Sequence, residues 1–348
     1  MLIGIIGAGL AGLTAGKMLT QAGHDVIVFE KSRGFGGRLA TRYSGEDSSV
    51  KFDHGCPHLF ATDERYQQFI DELEKKNILK KWADEFHYWN GDSLFRSHPQ
   101  KKKQQYYFAP QGMNEVGKYL SRWVDVRTNT KVIGMTYLGD KKGKKKPWML
   151  NLENFDVVGV DAVIVATPAV QTYGLIENAQ DETVFKTVIR EIDEIFYEPK
   201  HSLMLTYDGV EVPEWKGITC NDQVISWISN ENSKRDENGK LALVCHSTGE
   251  FTRNHLIAGS SNEKIQAEMI FALRKIIGDW SAKFSESSMH LWRYSQPRTF
   301  FEQDFVEVGN ENSPVGIIGD FLRGNTSEHA FISGVELAKS WISRFPVS

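Results

Sequence analysis

The chain is poor in cysteine: Cys56, Cys220 and Cys245 are its only three in 348 residues, scattered and odd in number. That argues against a disulfide framework and fits a reducing compartment, so a cytoplasmic protein is expected. Also missing is any uninterrupted apolar run of about eighteen residues, so no membrane span is expected. Residues 2–22 are apolar enough to imitate a secretion signal. Lys17 and a set of glycines interrupt them, however, and a first strand from residue 2 leaves no room for a charged leader. Lysine plus arginine (41) and aspartate plus glutamate (45) nearly cancel, for a net charge of −4. This balance gives no bulk electrostatic reason to bind nucleic acid or an anionic membrane. There is no internal repeat and no low-complexity stretch beyond short basic runs. CxxC, HExxH and a Ser-His-Asp order are absent, so dithiol redox chemistry, a helical zinc site and serine-hydrolase chemistry are not expected, and neither is a metal.

What is present is concentrated at the start. A short apolar strand, Ile3-Gly4-Ile5-Ile6, runs into Gly7-Ala8-Gly9-Leu10-Ala11-Gly12. Gly7 permits a tight turn, Gly9 lets the backbone approach a pyrophosphate, and Gly12 lets the next helix pack closely on the sheet. That helix, Leu10–Ala22, would aim its N–H groups and positive dipole end at phosphates. A second strand, 25–29, delivers Glu30 eighteen residues after Gly12, where a carboxylate binds ribose hydroxyls and repels a 2′-phosphate. Gly36-Gly37-Arg38 follows, a glycine pair with arginine that returns the chain toward the pyrophosphate. The order of these elements points to a bound dinucleotide, FAD more than NAD.

The length favours two domains. Residues 63–82 read as a helix through Tyr66, Phe69, Ile70 and Leu73, and Asn114–Trp123 as another. Strand-like runs 131–138 and 148–152 flank a basic tip, Lys141 to Lys146, which is either a solvated hairpin turn or a polyanion site. Asp161–Pro168 reads as a doubly buried strand with a proline stop. Strand-like runs at 201–207, 223–229 and 241–247, with a helix over Ser261–Ile277, suit a second sheet with helices to one side. The tail again has the character of the opening segment, with a strand ending in Gly319-Asp320 and then a helix over Ser327–Phe345. Asp320 can accept from a sugar hydroxyl, and the helix start can aim N–H groups at a flavin edge. The expected fold class is α/β with an α+β second domain. A Rossmann-like FAD-binding domain with a parallel central sheet (1–72, 104–172 and 290–348) would carry a smaller mixed or antiparallel-sheet substrate domain (73–103 and 173–289).

The chain resembles the FAD-dependent amine-oxidase-like flavoproteins with a p-hydroxybenzoate-hydroxylase-type fold, and within them the renalase group. The stretches that carry the resemblance are 7–12, FGGRLATR (35–42), FDHG (52–55), APQGM (109–113), VATP (165–168), WISNENSK (227–234), VCHSTGEF (244–251), LWRYSQP (291–297) and 319–334. The resemblance implies noncovalent FAD held by Gly7, Ala8, Gly9, Leu10, Ala11, Gly12, Glu30, Lys31, Gly36, Gly37, Arg38 and Leu39. Its continuation would be His54, Gly55, Val132, Thr167, Pro168, Gly319, Asp320, His329, Ala330 and Phe331. It further implies an oxidase that takes a hydride from 2- or 6-dihydro isomers of NAD(P) and passes the electrons to O2, giving NAD(P)+ and hydrogen peroxide. Such a hydride transfer needs alignment more than a general base.

One loop departs from that family. Where its members usually have Ala-Gln-Tyr after a glycine, this chain reads Gly55-Cys56-Pro57-His58. His58 either faces the flavin and binds a carboxamide or orients a substrate, or is a surface or hydrogen-bonded structural histidine. His246, Trp292, Arg293 and Tyr294 are the other substrate-cavity candidates with Cys56. For them the alternatives are a satisfied strand histidine, core aromatics and, for Arg293, a surface salt bridge. A covalent flavin link through Cys56 is not expected, because cysteine-linked amine oxidases attach near the carboxyl terminus and no cysteine follows residue 245. Two rival readings stand beside the oxidase: an amine oxidase or desaturase of the same superfamily, and an FAD-binding protein without redox activity.

Overall fold

The computed structural model describes residues 1–45, 49–139, 146–177, 179, 182–235, 240–310 and 312–347. The tip of the basic run, 141–145, lies outside them. The chain divides into two compact units: Met1–Gly37 with Asn114–Tyr197 and Gln296–Ser348, and Arg38–Met113 with Glu198–Ser295.

The first unit is built on a six-stranded sheet in the order Val306–Asn310, Ser313–Ile317, Ala162–Val165, Leu2–Ile6, Asp25–Phe29, Asp125–Arg127. All neighbours are parallel except the Val306–Asn310 edge strand. The central strands Leu2–Ile6 and Ala162–Val165 are almost continuously apolar and buried, as a sheet covered on both faces requires. Helix Leu10–Gln21 packs on helix Ser327–Arg344 so closely that a Cβ at Gly334 would collide with the Ala11 carbonyl. A separate antiparallel sheet, Val132–Tyr137, Trp148–Leu152 and Val157–Val160, realises the two strands expected around the basic tip.

The second unit carries a seven-stranded sheet in the order Glu286–Pro297, Tyr197–Tyr207, Leu241–Ser247, Ile225–Asn230, Gly217–Cys220, His87–Trp89, Leu94–Phe95. Helix Asn262–Ile277 covers one face through Ile265, Met269, Leu273 and Ile276, which join Leu203, Leu205, Ile228 and Leu243 in one core. The α/β class with a mixed second sheet is therefore the observed fold.

Several expectations need correction. The helix expected over 63–82 spans Glu64–Lys75 only. Asn77 adopts φ 57°, closing the helix, and Lys80–Ala83 is instead a strand paired with Tyr106–Phe108. Residues 38–72, 104–113 and 290–295 group with the second unit, and 173–197 with the first, unlike the expected boundaries. The packing explains part of this: Val50 and Phe52 share a core with Met204, Ala242 and Val244.

Candidate functional site

In the first unit the candidate cofactor residues collect at the carboxyl ends of parallel strands, where open α/β sheets bind ligands. Gly7 leaves Leu2–Ile6 with φ +108°, and a Cβ there would stand 2.7 Å from the Ala166 carbonyl oxygen. A Cβ on Gly12 would strike the Gly7 carbonyl. Gly9 is different: a Cβ there would meet nothing within 4 Å, so the space in front of it is open. It is the N-cap of Leu10–Gln21 and carries no side-chain cap, which leaves the first-turn N–H groups for an anion. The glycine pair comes back to this turn: Gly36 bridges Gly9 and donates its N–H to the Ala8 carbonyl at 2.8 Å, and a Cβ at Gly37 would lie 3.3 Å from Gly9 Cα.

Glu30 is buried at the end of Asp25–Phe29. Its Oε2 accepts from Ala8 N at 3.0 Å and its Oε1 from Ser32 N at 2.8 Å, so the carboxylate also fastens the glycine turn. Each oxygen keeps a lone pair for a hydroxyl. Lys31 Nζ is exposed and donates to Gln171 at 3.1 Å. Thr167 and Pro168 close Ala162–Val165, with the Thr167 hydroxyl 2.9 Å from that of Thr172. Gly319 donates its N–H to Ser333, and buried Asp320 begins a short turn before the helix. His329 serves a capping box with Thr326 at that helix start, beside Ala330 and the buried Phe331. Val132 sits apart in the antiparallel sheet. A dinucleotide fits this cradle: an open glycine, an uncapped helix start and a carboxylate stand at one sheet edge.

The remaining candidates belong to the second unit, and most converge on the segment from Asp53 to His58. The His54 carbonyl accepts two ring N–H bonds, from His246 Nε2 at 3.1 Å and Trp292 Nε1 at 2.9 Å. A Cβ on Gly55 would collide with the Arg38 carbonyl, which also accepts from Cys56 N at 2.8 Å. Arg38 donates to the Ser295 carbonyl at 2.9 Å and Leu39 is buried. Cys56 Sγ donates to the His58 carbonyl at 3.0 Å. His58 stands among Phe60, Trp82, Phe86, Tyr106 and Trp227, with ring centroids 4.7–6.2 Å away. Arg293 does not join this group; it is exposed, and strand alternation turns it away from Trp292 and Tyr294.

Burial keeps these groups uncharged. It lowers the His58 pKa to about 3, with help from Lys234 and Lys101. It lowers His246 to about 3, aided by Lys200, and His54 to about 4, aided by His290 and Arg42. The Cys56 thiol is pushed up to about 11, again by burial.

Sequence reasoning missed the charges that anchor this segment. Asp53 and Glu231 pair with Lys234 and Arg235 at 2.6–3.1 Å, all but closed to solvent. Asp53 Oδ1 also accepts from Thr41 at 2.8 Å and Met113 N at 2.9 Å, while Asp53 N donates to Glu231 at 3.2 Å. Burial raises the Asp53 pKa, but Lys234 and Arg235 outweigh it and hold the carboxyl well below its usual range. The available signal was Glu231, Lys234 and Arg235 directly following an apolar strand.

Residues 5–73 match the NAD(P)-binding Rossmann-like domain, and residues 93–338 match the family described as Flavin containing amine oxidoreductase. The chain belongs to the latter family, and it spans less than a fifth of the length of the curated relatives named below. Among curated relatives, a 4-hydroxybenzoate brominase (decarboxylating) from Marinomonas mediterranea is 36% identical over 81 residues, 23% of this chain and 14% of that protein. A 1-hydroxycarotenoid 3,4-desaturase from a Flavobacterium species is 36% identical over 98 residues, 27% of this chain and 19% of that protein. Among solved structures, a putrescine oxidase triple mutant superposes with TM-score 0.74 at 13% identity, covering 99% of both chains. Cyclohexylamine oxidase from Brevibacterium oxydans gives TM-score 0.72 at 11% identity, covering 97% of this chain and 98% of that one. At these identities the structures share the fold. Among the described residues, no helix is long and apolar enough to cross a membrane.

Proposed function

We propose that this oxidoreductase takes a hydride from 2- or 6-dihydro isomers of NAD(P) and passes the electrons to O2, giving NAD(P)+ and hydrogen peroxide. Bound FAD supplies the two-electron acceptor for that exchange. In this reading Gly9 and the first turn of Leu10–Gln21 hold the pyrophosphate, Glu30 the ribose, and Gly319-Asp320 the far end. The first unit, with its glycine cradle, serves the cofactor. The second, with the Asp53–His58 segment, serves the substrate.

The observation that supports the reading is that the lysine and the strand histidine closest to the Asp53–His58 segment are both engaged. Lys234 is engaged by Asp53 and Glu231, and His246 donates to a backbone carbonyl. Neutral His58 stands among aromatic rings. Oxidising a dihydropyridine removes a hydride and leaves an aromatic cation, so no proton needs to be taken from a donor atom. Orientation is then the main contribution the side chains make. The alternative, an amine oxidase or desaturase, is favoured by the family description and by the desaturase relative.

Anaerobic mixing separates the two. Bleaching of the flavin band by borohydride-generated NADH isomers, and not by alkyl or aryl amines, supports the first. Bleaching by amines alone transfers the assignment to the second, and a band that neither compound class bleaches refutes both.

A further inference from the structure

The fit of His58 in its aromatic surround has a meaning apart from chemistry on the ring. Phe86 stacks on the imidazole at 5.2 Å with an interplanar angle of 25°, and Tyr106 meets it edge-on at 4.7 Å. Trp227 lies at 5.4 Å, and Trp82 and Phe60 at 6.2 Å. These rings pack on one another as well: Phe86 lies 4.6 Å from Tyr106 and 4.8 Å from Trp227. The imidazole Nδ1 is out of reach of solvent and has no hydrogen-bond partner in another residue. A buried polar atom left in that state costs about 1–3 kcal/mol, so hydrogen bonding at Nδ1 is not what selects histidine here. The ring's flat shape is what the surround uses.

The position of His58 in the chain says what is being held. Asp53, at the other end of the segment, is fixed by Lys234, Arg235, Thr41 and Met113. The His54 carbonyl is fixed by His246 and Trp292, and Cys56 N by Arg38. His58 is the last anchor before Leu59 pairs with Tyr107. Between these points the chain presents Gly55, Cys56 and Pro57, whose conformation is set from both sides.

We propose that His58 is a positioning residue that sets the Gly55–Pro57 loop by filling the ring box of Phe60, Trp82, Phe86, Tyr106 and Trp227, acting through shape and not through a polar contact to substrate. This rests on the reading that the second unit serves the substrate.

The test compares two replacements that separate shape from polarity. His58→Phe keeps a flat ring and discards both nitrogens; His58→Asn keeps a polar atom near the Nδ1 position and discards the ring. Each is read as kcat and KM for flavin reduction, and as the absorption envelope of the bound flavin, which needs no substrate. The expected result is His58→Phe within about threefold of the unaltered protein in kcat/KM. His58→Asn should fall by about tenfold or more, mainly in kcat, with an altered flavin envelope, as a misplaced loop would give. Activity retained by Asn and lost by Phe would overturn the proposal, as would equal loss in both or no change in either. Should the unaltered protein fail to oxidise dihydronicotinamides while its flavin envelope still follows this order, the substrate assignment falls and the positioning role stands.

Discussion

Lys234 Nζ lies 3.1 Å from Asp53 Oδ2 with both side chains wholly closed to solvent. The pair survives burial because neither charge is alone: Glu231 and Arg235 complete the set, and Lys234 also faces the Trp82 ring at 4.8 Å. Replacing Lys234 by Met leaves an excess buried negative charge. Denaturant unfolding should show a loss of about 3–5 kcal/mol, with much of it recovered when Asp53→Asn is added. A paired Asp53 with a depressed pKa contributes stability above the ordinary carboxylate range, lost only in strong acid. In Lys234→Met the acid transition should therefore move to higher pH.

Three histidines of the second unit give a second acid dependence. His54, His58 and His246 have folded pKa values near 3–4, below the unfolded value near 6.5. Between those limits the unfolded chain binds more protons, so stability rises with pH and is lost as pH falls below about 6.5. Each such group contributes a slope of up to about 1.4 kcal/mol per pH unit. Melting curves from pH 7 to pH 4.5 should show this, and His58→Phe should reduce the slope by up to one proton.

Two glycines in one turn should fail differently. Gly9 has room for a methyl group and an ordinary φ of −76°, so Gly9→Ala should fold with normal stability. Its methyl group would stand in the open space assigned to the pyrophosphate, and FAD affinity should drop by about tenfold or more, roughly 1.4 kcal/mol. Gly7→Ala places a methyl group against the Ala166 carbonyl at φ +108° and should cost stability before cofactor is added. Thermal melts without FAD, paired with FAD titrations, distinguish the two.

Cys56 should be a slow thiol. Burial pushes its pKa to about 11, so little thiolate exists at pH 8. Alkylation by iodoacetamide should be far slower in the folded protein than after denaturation; matched rates would contradict the burial described.

The first unit was the more legible in sequence because its devices are local. A strand, a glycine turn and an acidic residue at fixed spacing define both the Gly7–Gly12 turn and the Glu30 position, and the Gly9–Gly36 bridge joins segments close in the chain. The second unit depends on partners far apart. Nothing near Asp53 announces that Lys234 neutralises it, and nothing near His58 announces Phe86 or Trp227. The long edge strand Glu286–Pro297 was not read as a strand from sequence, since its pairing is non-local. The helix expected to continue to residue 82 shows the same limit: Lys80–Ala83 becomes a strand because Tyr106–Phe108 is there to pair with it.

FAD held as a resident group in the open glycine cradle is the claim on which the proposed chemistry depends. The most direct measurement is the visible absorption spectrum of the purified protein, taken as isolated and again after incubation with FAD and gel filtration. The prediction is a flavin band near ~450 nm that travels with the protein at about one flavin per chain. A protein that carries no such band even after FAD is supplied would contradict that claim.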